Sequence, residues 1–274
     1  TDTEVFKGDR VVADGVERSL GTVTIGATSL VSSIDPFGDG SLIAKYELDG
    51  NANDTRNIYN GTTTNVAFST TTKFGAHSGS FSSGYIRLAS LRTTLMQKTN
   101  RTVSAWINTT DTSTINVIFA DYDGASYNIL LRHSAGKITA FNRYNNIDNS
   151  TENQTIINDG SWHHVVATLN VSTLVLSLYI DNGTPTTTSV SSNAWVGSGY
   201  DPMIGTQADG ANPNTGSYYS GLIDQVEIYN RALTQSEVST LYTQSIPKYT
   251  ADFNTPLASI PTSVYRLDHD NLTI

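Results

Sequence analysis

The stretch LIAKYELDGNAN (residues 42–53) and the distant stretch GLIDQVEIYNRAL (residues 221–233) decide the fold of this chain. Each alternates apolar and polar residues, which is the period of a β-strand with one buried face. Each also carries an acidic residue near a turn, Asp49 in the first stretch and Asp224 in the second. We predict that they are the first and last strands of one β-sandwich, which together close a domain of about 200 residues.

The composition excludes several classes of function. The chain has 274 residues and no cysteine, so it has no disulfide, no thiol nucleophile and no cysteine-based zinc site. Its formal net charge is −9 with only 16 Lys plus Arg, which makes it a poor partner for nucleic acid. No apolar run approaches the roughly 20 residues that a membrane span needs.

Short strand patterns separated by turns fill the chain between the two closing stretches. They predict an all-β fold, a two-sheet antiparallel jelly-roll sandwich. Residues 79–88 are predicted to form a hairpin around Ser82-Ser83-Gly84, and residues 115–121 and 126–133 a second one joined by Asp123-Gly124. The other predicted strands are residues 102–108, 137–143, 162–169 and 174–180.

One short helix and two arms complete the predicted organisation. Thr234 and Glu237 form a capping box that begins a helix ending near Tyr242. We divide the chain into an N-terminal arm (1–40), the sandwich (41–243) and an extended C-terminal arm (244–274) with three prolines. The first arm holds one strand pattern, residues 21–25. No leader-like run follows Thr1, so we expect no secretory signal.

Six motifs together resemble the laminin G-like branch of the concanavalin A-like lectin/glucanase superfamily. They are YELDGNANDT (46–55), KFGAHSGSFSSGYIRL (73–88), TVSAWINTT (102–110), GSWHHVVATLN (160–170), LSLYIDNG (176–183) and GLIDQVEIYNRALTQSEVSTLY (221–242). The resemblance covers about residues 41–243. It implies a jelly roll without catalysis in most members, glycan or protein ligands, and often a structural calcium. Similar domains occur in bacteriophage virion proteins and in surface proteins of marine bacteria.

Oxygen-bearing side chains cluster near the predicted junction of the first and last strands. Calcium binds six to eight oxygens from carboxylates, amides, backbone carbonyls and water. The candidate ligands are Asp49, Asn51, Asn53, Asp54 and Asp224, and the resemblance implies a Ca2+ near this junction. The alternative is that these are ordinary turn residues that cap their own backbone.

Loop aromatics are the second candidate site, because sugar rings stack on them while Asn and Asp bind hydroxyl groups. The candidate glycan residues are Tyr144, Asn145, Tyr200, Asp209, Tyr218 and Tyr219. Residues 205–220 form the best single loop, since it is long and rich in turn residues. The alternative for any one tyrosine is packing at a sheet edge. Trp106 and Trp162 fall in strand patterns and are expected in the core.

Catalysis has little support in the sequence. Retaining glycosidases need two carboxyl groups about 5–5.5 Å apart, and the Glu-x-Asp-x-x-Glu string of the related glucanases does not occur. Glu47 and Asp49 form the nearest pair, two residues apart. His163 and His164 are neighbours on one strand, so they point to opposite faces and do not easily share a metal. We predict that the chain is not an enzyme.

These features predict a virion protein. The expected role is a non-enzymatic structural, decoration or adhesion protein of a bacteriophage that displays the sandwich to host-surface glycans. The arms would bind other virion subunits of capsid or tail, and a homo-oligomer is expected. The alternative is a secreted or cell-surface bacterial carbohydrate-binding module.

Overall fold

The structure is a computed structural model that describes residues 35–243 and three earlier strands. Within the first range it leaves out residues 96–98, 114, 123–125, 145–146, 192–198 and 210–211. The predicted strand at 21–25 and the arm at 244–274 lie outside the described residues, and the proposed docking role of both arms stays a prediction.

The strands of the described chain alternate with tight turns. In chain order they are β1 (Val5–Lys7), β2 (Arg10–Ala13), β3 (Val16–Ser19), β4 (Leu42–Tyr46), β5 (Thr62–Thr64), β6 (Ala67–Ser69), β7 (Ser78–Phe81), β8 (Tyr85–Arg87), β9 (Arg101–Asn108), β10 (Asn116–Tyr122), β11 (Tyr127–Ser134), β12 (Lys137–Tyr144), β13 (Ile147–Asn153), β14 (Trp162–Asn170), β15 (Val175–Ile180), β16 (Thr186–Ser189), β17 (Met203–Ile204), β18 (Ala208–Asp209), β19 (Asn212–Pro213) and β20 (Gly221–Tyr229). The helices are α1 (Arg92–Leu95), which follows a 3-10 turn at Ala89–Leu91, and α2 (Gln235–Thr243).

Two antiparallel sheets form the predicted sandwich, so the all-β jelly-roll fold is confirmed. One sheet has the order β13-β12-β11-β10-β17-β8-β5. The other has the order β16-β15-β14-β9-β20-β7-β6, with β4 beside β20. A continuous apolar core lies between them, to which Ile118, Leu131 and Ala140 contribute from the first sheet and Ala105 and Val165 from the second.

The first and last strands of the sandwich pair as predicted, from Val226 opposite Tyr46 to Tyr229 opposite Leu42. The N-terminal end of β20 pairs instead with β7, and the register against β9 shifts between Asp224 and Glu227. Gln225 has a positive φ of 48° at this point. A β-bulge therefore separates the part of β20 that pairs with β7 from the part that pairs with β4.

The polar positions of this strand pair are buried rather than exposed. Lys45 and Glu227 lie opposite each other, and their side chains form a salt bridge of 2.8 Å with only 5% and 7% exposure. Tyr229 donates a second hydrogen bond to Glu227 at 2.6 Å. Alternation correctly indicated the strand, but here the polar face is covered as well.

The predicted hairpin at residues 79–88 is wrong. β7 belongs to the eight-stranded sheet, where it pairs with β6 and β20. β8 belongs to the seven-stranded sheet, where it pairs with β5 and β17. The Ser82-Ser83-Gly84 turn therefore carries the chain from one sheet to the other. Gly84 is needed there because a Cβ would lie 2.2 Å from the Asn65 carbonyl oxygen.

The other strand predictions agree with the structure to within one or two residues. β10 and β11 form the second predicted hairpin, and its Asp123-Gly124 turn lies outside the described residues. β13 was missed because its sequence, IDNSTEN, is polar. It pairs with β12 over seven residues, so backbone pairing alone identifies it as a strand.

Helix α2 begins at the predicted capping box. The Thr234 amide donates to Glu237 Oε2 at 2.8 Å, and the Glu237 amide donates to Thr234 Oγ1 at 3.4 Å. Leu233, Val238 and Leu241 pack with Leu42 and Tyr229 in a second apolar cluster. The helix therefore covers the outer side of the strand pair that closes the sandwich.

The N-terminal strands β1, β2 and β3 form a separate three-stranded antiparallel sheet. They precede the strand predicted at residues 21–25. In the described part of the chain, no helix has the length and apolar character to cross a membrane.

Thr234→Ala should lower the free energy of unfolding by about 1 kcal/mol, because it removes an N-cap acceptor from the first turn of α2. Chemical denaturation measures this. Thr240→Ala is the matched control, since Thr240 lies within the same helix and its hydroxyl bonds only to the Ser236 carbonyl. An equal loss in both variants would contradict the capping role.

Candidate functional site

A third apolar cluster lies on the seven-stranded sheet, on the face opposite the core. Side chains alternate between faces along a strand, and Ile129, Leu131 and Ala140 enter the core while their neighbours Leu130 and Phe141 do not. The buried members of this cluster are Val117, Ala120, Tyr127 and Leu130, and Tyr122 and Phe141 pack against it.

This cluster forms the floor of a cavity of about 410 Å3, which we call the outer groove. Strands β11 and β12 supply its floor, and the loop at residues 205–220 supplies a wall. The lining residues are Ile115, Tyr127, Leu130, Arg132, Phe141, Arg143, Asp148, Gln207, Asn214, Gly216 and Ser217. Apolar concave surface with a few polar groups is the usual form of a site for a small organic ligand.

The wall is held by hydrogen bonds within the loop and to the sheet. The Val117 amide donates to the Ser217 carbonyl at 2.9 Å, and the Asn214 amide donates to the Gln207 carbonyl at 2.8 Å. The hydroxyl of the buried Thr206 donates to the Asn214 carbonyl at 2.9 Å. The backbone that carries the Gln207 and Asn214 side chains is therefore tied to the rigid sheet.

Two arginines lie over aromatic rings of the floor. The Arg132 guanidinium carbon is 4.4 Å from the centroid of Phe141, and that of Arg143 is 5.3 Å from the centroid of Tyr127. Both distances are within the range of cation–π attraction. Arg143 also forms a bidentate pair with Asp148, with Nε–Oδ1 and Nη2–Oδ2 distances of 2.6 and 3.1 Å.

The predicted glycan residues do not line the outer groove, although the predicted loop does. Tyr219 is fully buried with its ring against Phe81, because neighbouring residues of a chain in extended conformation face opposite sides. Tyr218 stacks on Tyr85, with centroids 6.5 Å apart. Tyr200 packs on Tyr122.

The remaining predicted glycan residues do not line the groove or lie outside the described residues. Tyr144 is the last residue of β12 and is partly exposed, and Asp209 is exposed in β18. Asn145 lies outside the described residues. Sequence reasoning missed Arg132, Phe141 and Arg143. The alternation along β11 and β12 could have indicated them, since it sets them on the face opposite Leu131 and Ala140.

Two of the five predicted calcium ligands meet at one loop, residues 72–77, which we call the junction loop. Asp224 Oδ2 accepts from the Lys73 and Phe74 amides at 2.9 and 3.0 Å and from the Thr72 hydroxyl at 2.9 Å. Asp49 Oδ1 accepts from the Ala76 and His77 amides at 2.7 and 2.8 Å. The other oxygen of Asp224, Oδ1, is buried and has no hydrogen-bond partner among the described side chains and backbone groups.

The other three predicted ligands serve different turns. Asp54 accepts from the Lys45 amide with Oδ1 at 3.0 Å and from the Ile58 amide with Oδ2 at 3.2 Å. Asn51 accepts from the amide of the exposed Asn53 at 2.8 Å. No three acidic or histidine side chains of the described residues form a metal-binding group. This geometry fits backbone capping, and calcium binding by the five residues stays a prediction.

The nearest carboxylate pair does not share a strand face. β4 ends at Tyr46, and Leu48, between Glu47 and Asp49, has a positive φ of 57°. The alternation that would place the two carboxyl groups side by side is therefore interrupted.

The two neighbouring histidines face different surroundings. His164 is buried, stacks on Trp106 at 4.9 Å between centroids and bonds to Ser104 through Nε2 at 2.8 Å. Burial lowers its pKa to about 4. His163 lies between Asp181 at 2.6 Å and Asp159 at 3.1 Å. The hydrogen bond to Asp181 is the largest cause that raises the pKa of His163, although burial opposes it.

Trp106 is buried as expected, and Trp162 is partly buried. Trp106 lies outside the core between the sheets: its ring contacts His164, Phe74 and Tyr242.

Comparison with known proteins gives a family and a set of structural relatives. A laminin G family model, described as concanavalin A-like lectin/glucanases superfamily, matches residues 78–239. No curated protein matches the chain.

Solved structures share the fold at low identity. Domain 4 of AbnA, a GH43 extracellular arabinanase from Geobacillus stearothermophilus, in complex with arabinotriose, is 20% identical with a TM-score of 0.59, covering 74% of this chain and 98% of that domain. Botulinum neurotoxin type C, whose cell entry depends on interaction with two ganglioside molecules, is 14% identical with a TM-score of 0.56. The binding domain of botulinum neurotoxin DC in complex with rat synaptotagmin II has the same two values. The match covers 74% of this chain and about half, 51%, of each neurotoxin chain.

Asp224→Ala should destabilise the protein by about 2 kcal/mol or more in buffer that contains EDTA, because three partly buried donors of the junction loop lose their acceptor. Denaturant titration measures this, with Asn53→Ala as the exposed control. A loss that appears only when calcium is present would contradict the capping role.

Wild type and Asp224→Ala also test whether calcium binds at the predicted site. A melting midpoint that rises with added calcium in the wild type, and not in Asp224→Ala, would support the site. An unchanged wild-type midpoint would remove it.

His163 should make stability depend on pH. Its folded-state pKa lies above the unfolded value of about 6.5, so its stabilisation is fully present below about pH 6.5 and is lost as the pH rises through the folded-state pKa. The melting midpoint of wild type should therefore exceed that of His163→Gln most at acid pH. Asp159→Asn should reduce this dependence only in part, since Asp181 remains. A difference that stays constant with pH would contradict the assignment.

Proposed function

Because the chain belongs to the concanavalin A-like lectin/glucanases superfamily, we propose that it is a non-catalytic carbohydrate-binding domain whose ligand lies in the outer groove. The observation that carries this proposal is the groove itself, a cavity of about 410 Å3 with aromatic, arginine and amide side chains on two paired strands and a braced loop. Such a lining combines apolar contact area with donors and acceptors for hydroxyl groups.

The size and the chemistry of the groove suit a short oligosaccharide. Phe141 and Arg132 offer flat surfaces for the apolar face of a sugar ring. Gln207 and Asn214 offer an amide donor and acceptor from the opposite wall. The sheet holds Phe141 and Arg132 in place, and the loop hydrogen bonds hold the backbone of Gln207 and Asn214. Ligand binding therefore costs little conformational entropy.

The relatives support a ligand of this class. The arabinanase domain forms a complex with arabinotriose, and neurotoxin type C interacts with gangliosides. Both share the fold with this chain.

The arrangement of carboxyl groups supports binding without catalysis. Asp49, Asp54 and Asp224 each accept hydrogen bonds from backbone amides, and Glu227 pairs with Lys45. In the groove, Asp148 pairs with Arg143. A glycosidase needs one of two carboxyl groups free to transfer a proton.

We propose that a phage particle displays the sandwich, because predicted arms (residues 1–40 and 244–274) flank it. The support for this setting is the presence of arms outside a self-contained domain, and the alternative is a bacterial carbohydrate-binding module. Detection of the chain in purified particles would support the first. A monomer that binds glycan without assembling would favour the second.

Phe141→Ala should weaken binding of the best ligand from a glycan panel at least about tenfold, which corresponds to about 1.4 kcal/mol. Calorimetry on the full chain measures this. Ile58→Ala is the matched control, because Ile58 is an apolar residue that is 56% exposed and does not line the groove. Equal affinity of wild type and Phe141→Ala would place the ligand elsewhere and overturn the proposed site.

A further inference from the structure

We infer that the outer groove selects saccharides that carry an anionic group, and that Arg132 is the residue that binds this group. The inference rests on the proposed function, and it assigns a ligand class to the same groove.

The two arginines of the groove differ in their partners. Arg143 is neutralised by its bidentate pair with Asp148. The Arg132 side chain makes no hydrogen bond and no ion pair with any part of the chain that the structure describes, and its Nε is buried there without a partner. Arg132 is therefore the one lining arginine whose donors remain available.

The Arg132 side chain is positioned by an aromatic ring, but its buried Nε–H donor has no acceptor in the described residues. Its guanidinium lies over the Phe141 ring at 4.4 Å, and the residue is only partly exposed to water. Burial lowers the pKa of Arg132, because the charged form loses hydration. A guanidinium carries five donors in a planar fork that matches carboxylate and sulfate oxygens. An anionic ligand group would supply the acceptors that the protein does not.

The charge balance of the groove agrees with a ligand of this type. Arg132, Arg143 and Asp148 leave one positive charge in the lining, whereas the whole chain has a net charge of −9. Long-range attraction therefore does not favour a polyanion. Selection must come from short-range contact at Arg132, which favours a short oligosaccharide with one or a few anionic groups over a long acidic polymer.

The test compares matched probes with and without an anionic group. Trigalacturonic acid and its methyl ester form the carboxylate pair, and a galactose oligosaccharide with and without a sulfate group forms the sulfate pair. Affinities are measured by calorimetry for wild type, Arg132→Gln and Arg132→Lys. Lys137→Gln is the control, since Lys137 lies on β12, pairs with Glu152 and does not line the groove.

Wild type should bind at least one acidic probe about tenfold or more tightly than its neutral partner. Arg132→Gln should abolish this preference, because the affinity for the acidic probe falls to the affinity for its neutral partner, while Arg132→Lys keeps part of the preference and Lys137→Gln keeps all of it. The pair that shows the preference identifies carboxylate or sulfate as its source. Thermal melting confirms that each variant is folded.

The outcomes separate the inference from the proposed function. Equal or tighter binding of the neutral probes overturns the acidic preference and leaves the carbohydrate-binding groove intact. A preference that survives in Arg132→Gln overturns the role of Arg132. Absence of binding to every acidic and neutral member of a broad glycan panel overturns both.

Discussion

The carboxylate of Asp224 accepts hydrogen bonds from the junction loop at the place where the last strand changes its neighbour. On one side of the bulge β20 pairs with β7, and on the other side it pairs with β4. Asp49 holds the far end of the same loop. Two residues about 175 positions apart in sequence therefore anchor one segment, and the closure of the sandwich depends on that shared contact. Loss of a buried acceptor here would leave several donors without partners.

The two faces of the seven-stranded sheet have different roles, since one is structural and the other carries the proposed binding site. One face supplies the core through residues such as Ile129 and Leu131, and the other supplies the groove through Leu130 and Arg132. The period of two along a strand sends neighbouring residues to different faces. A groove built on core strands inherits their rigidity, and the loop at 205–220 adds a wall that is hydrogen-bonded to the same sheet.

Local patterns predicted the strands well and their partners less well. β9, β10, β11, β12, β14 and β15 were predicted within one or two residues, because their apolar alternation reports burial of one face. The segment at 79–88 was predicted as a hairpin, since alternation and a turn are the same whether the next strand returns to its own sheet or crosses to the other. Lys45 and Glu227 occupy the polar positions of the alternation, which predicts exposure to solvent. They are buried instead, because the apolar cluster that contains Leu42 and residues of α2 covers the same face of the sheet.

Local patterns likewise predicted only part of the candidate site. The loop at 205–220 was identified by its length and turn residues, but the pair Tyr218 and Tyr219 gave no sign of which ring is buried. Arg132, Phe141 and Arg143 lie in ordinary strand sequences, and only the pairing of β11 with β12 places them in one groove.

The sequence by itself determined the two-sheet fold, the closing strand pair, the helix cap and the absence of cysteine chemistry, because alternation, capping and composition are properties of short segments. The tertiary structure alone decided which carboxylates serve the junction loop, which tyrosine enters the core and which arginine side chain forms no ion pair within the described residues. Those outcomes depend on contacts between residues far apart in the chain, and local sequence patterns contain no record of such contacts.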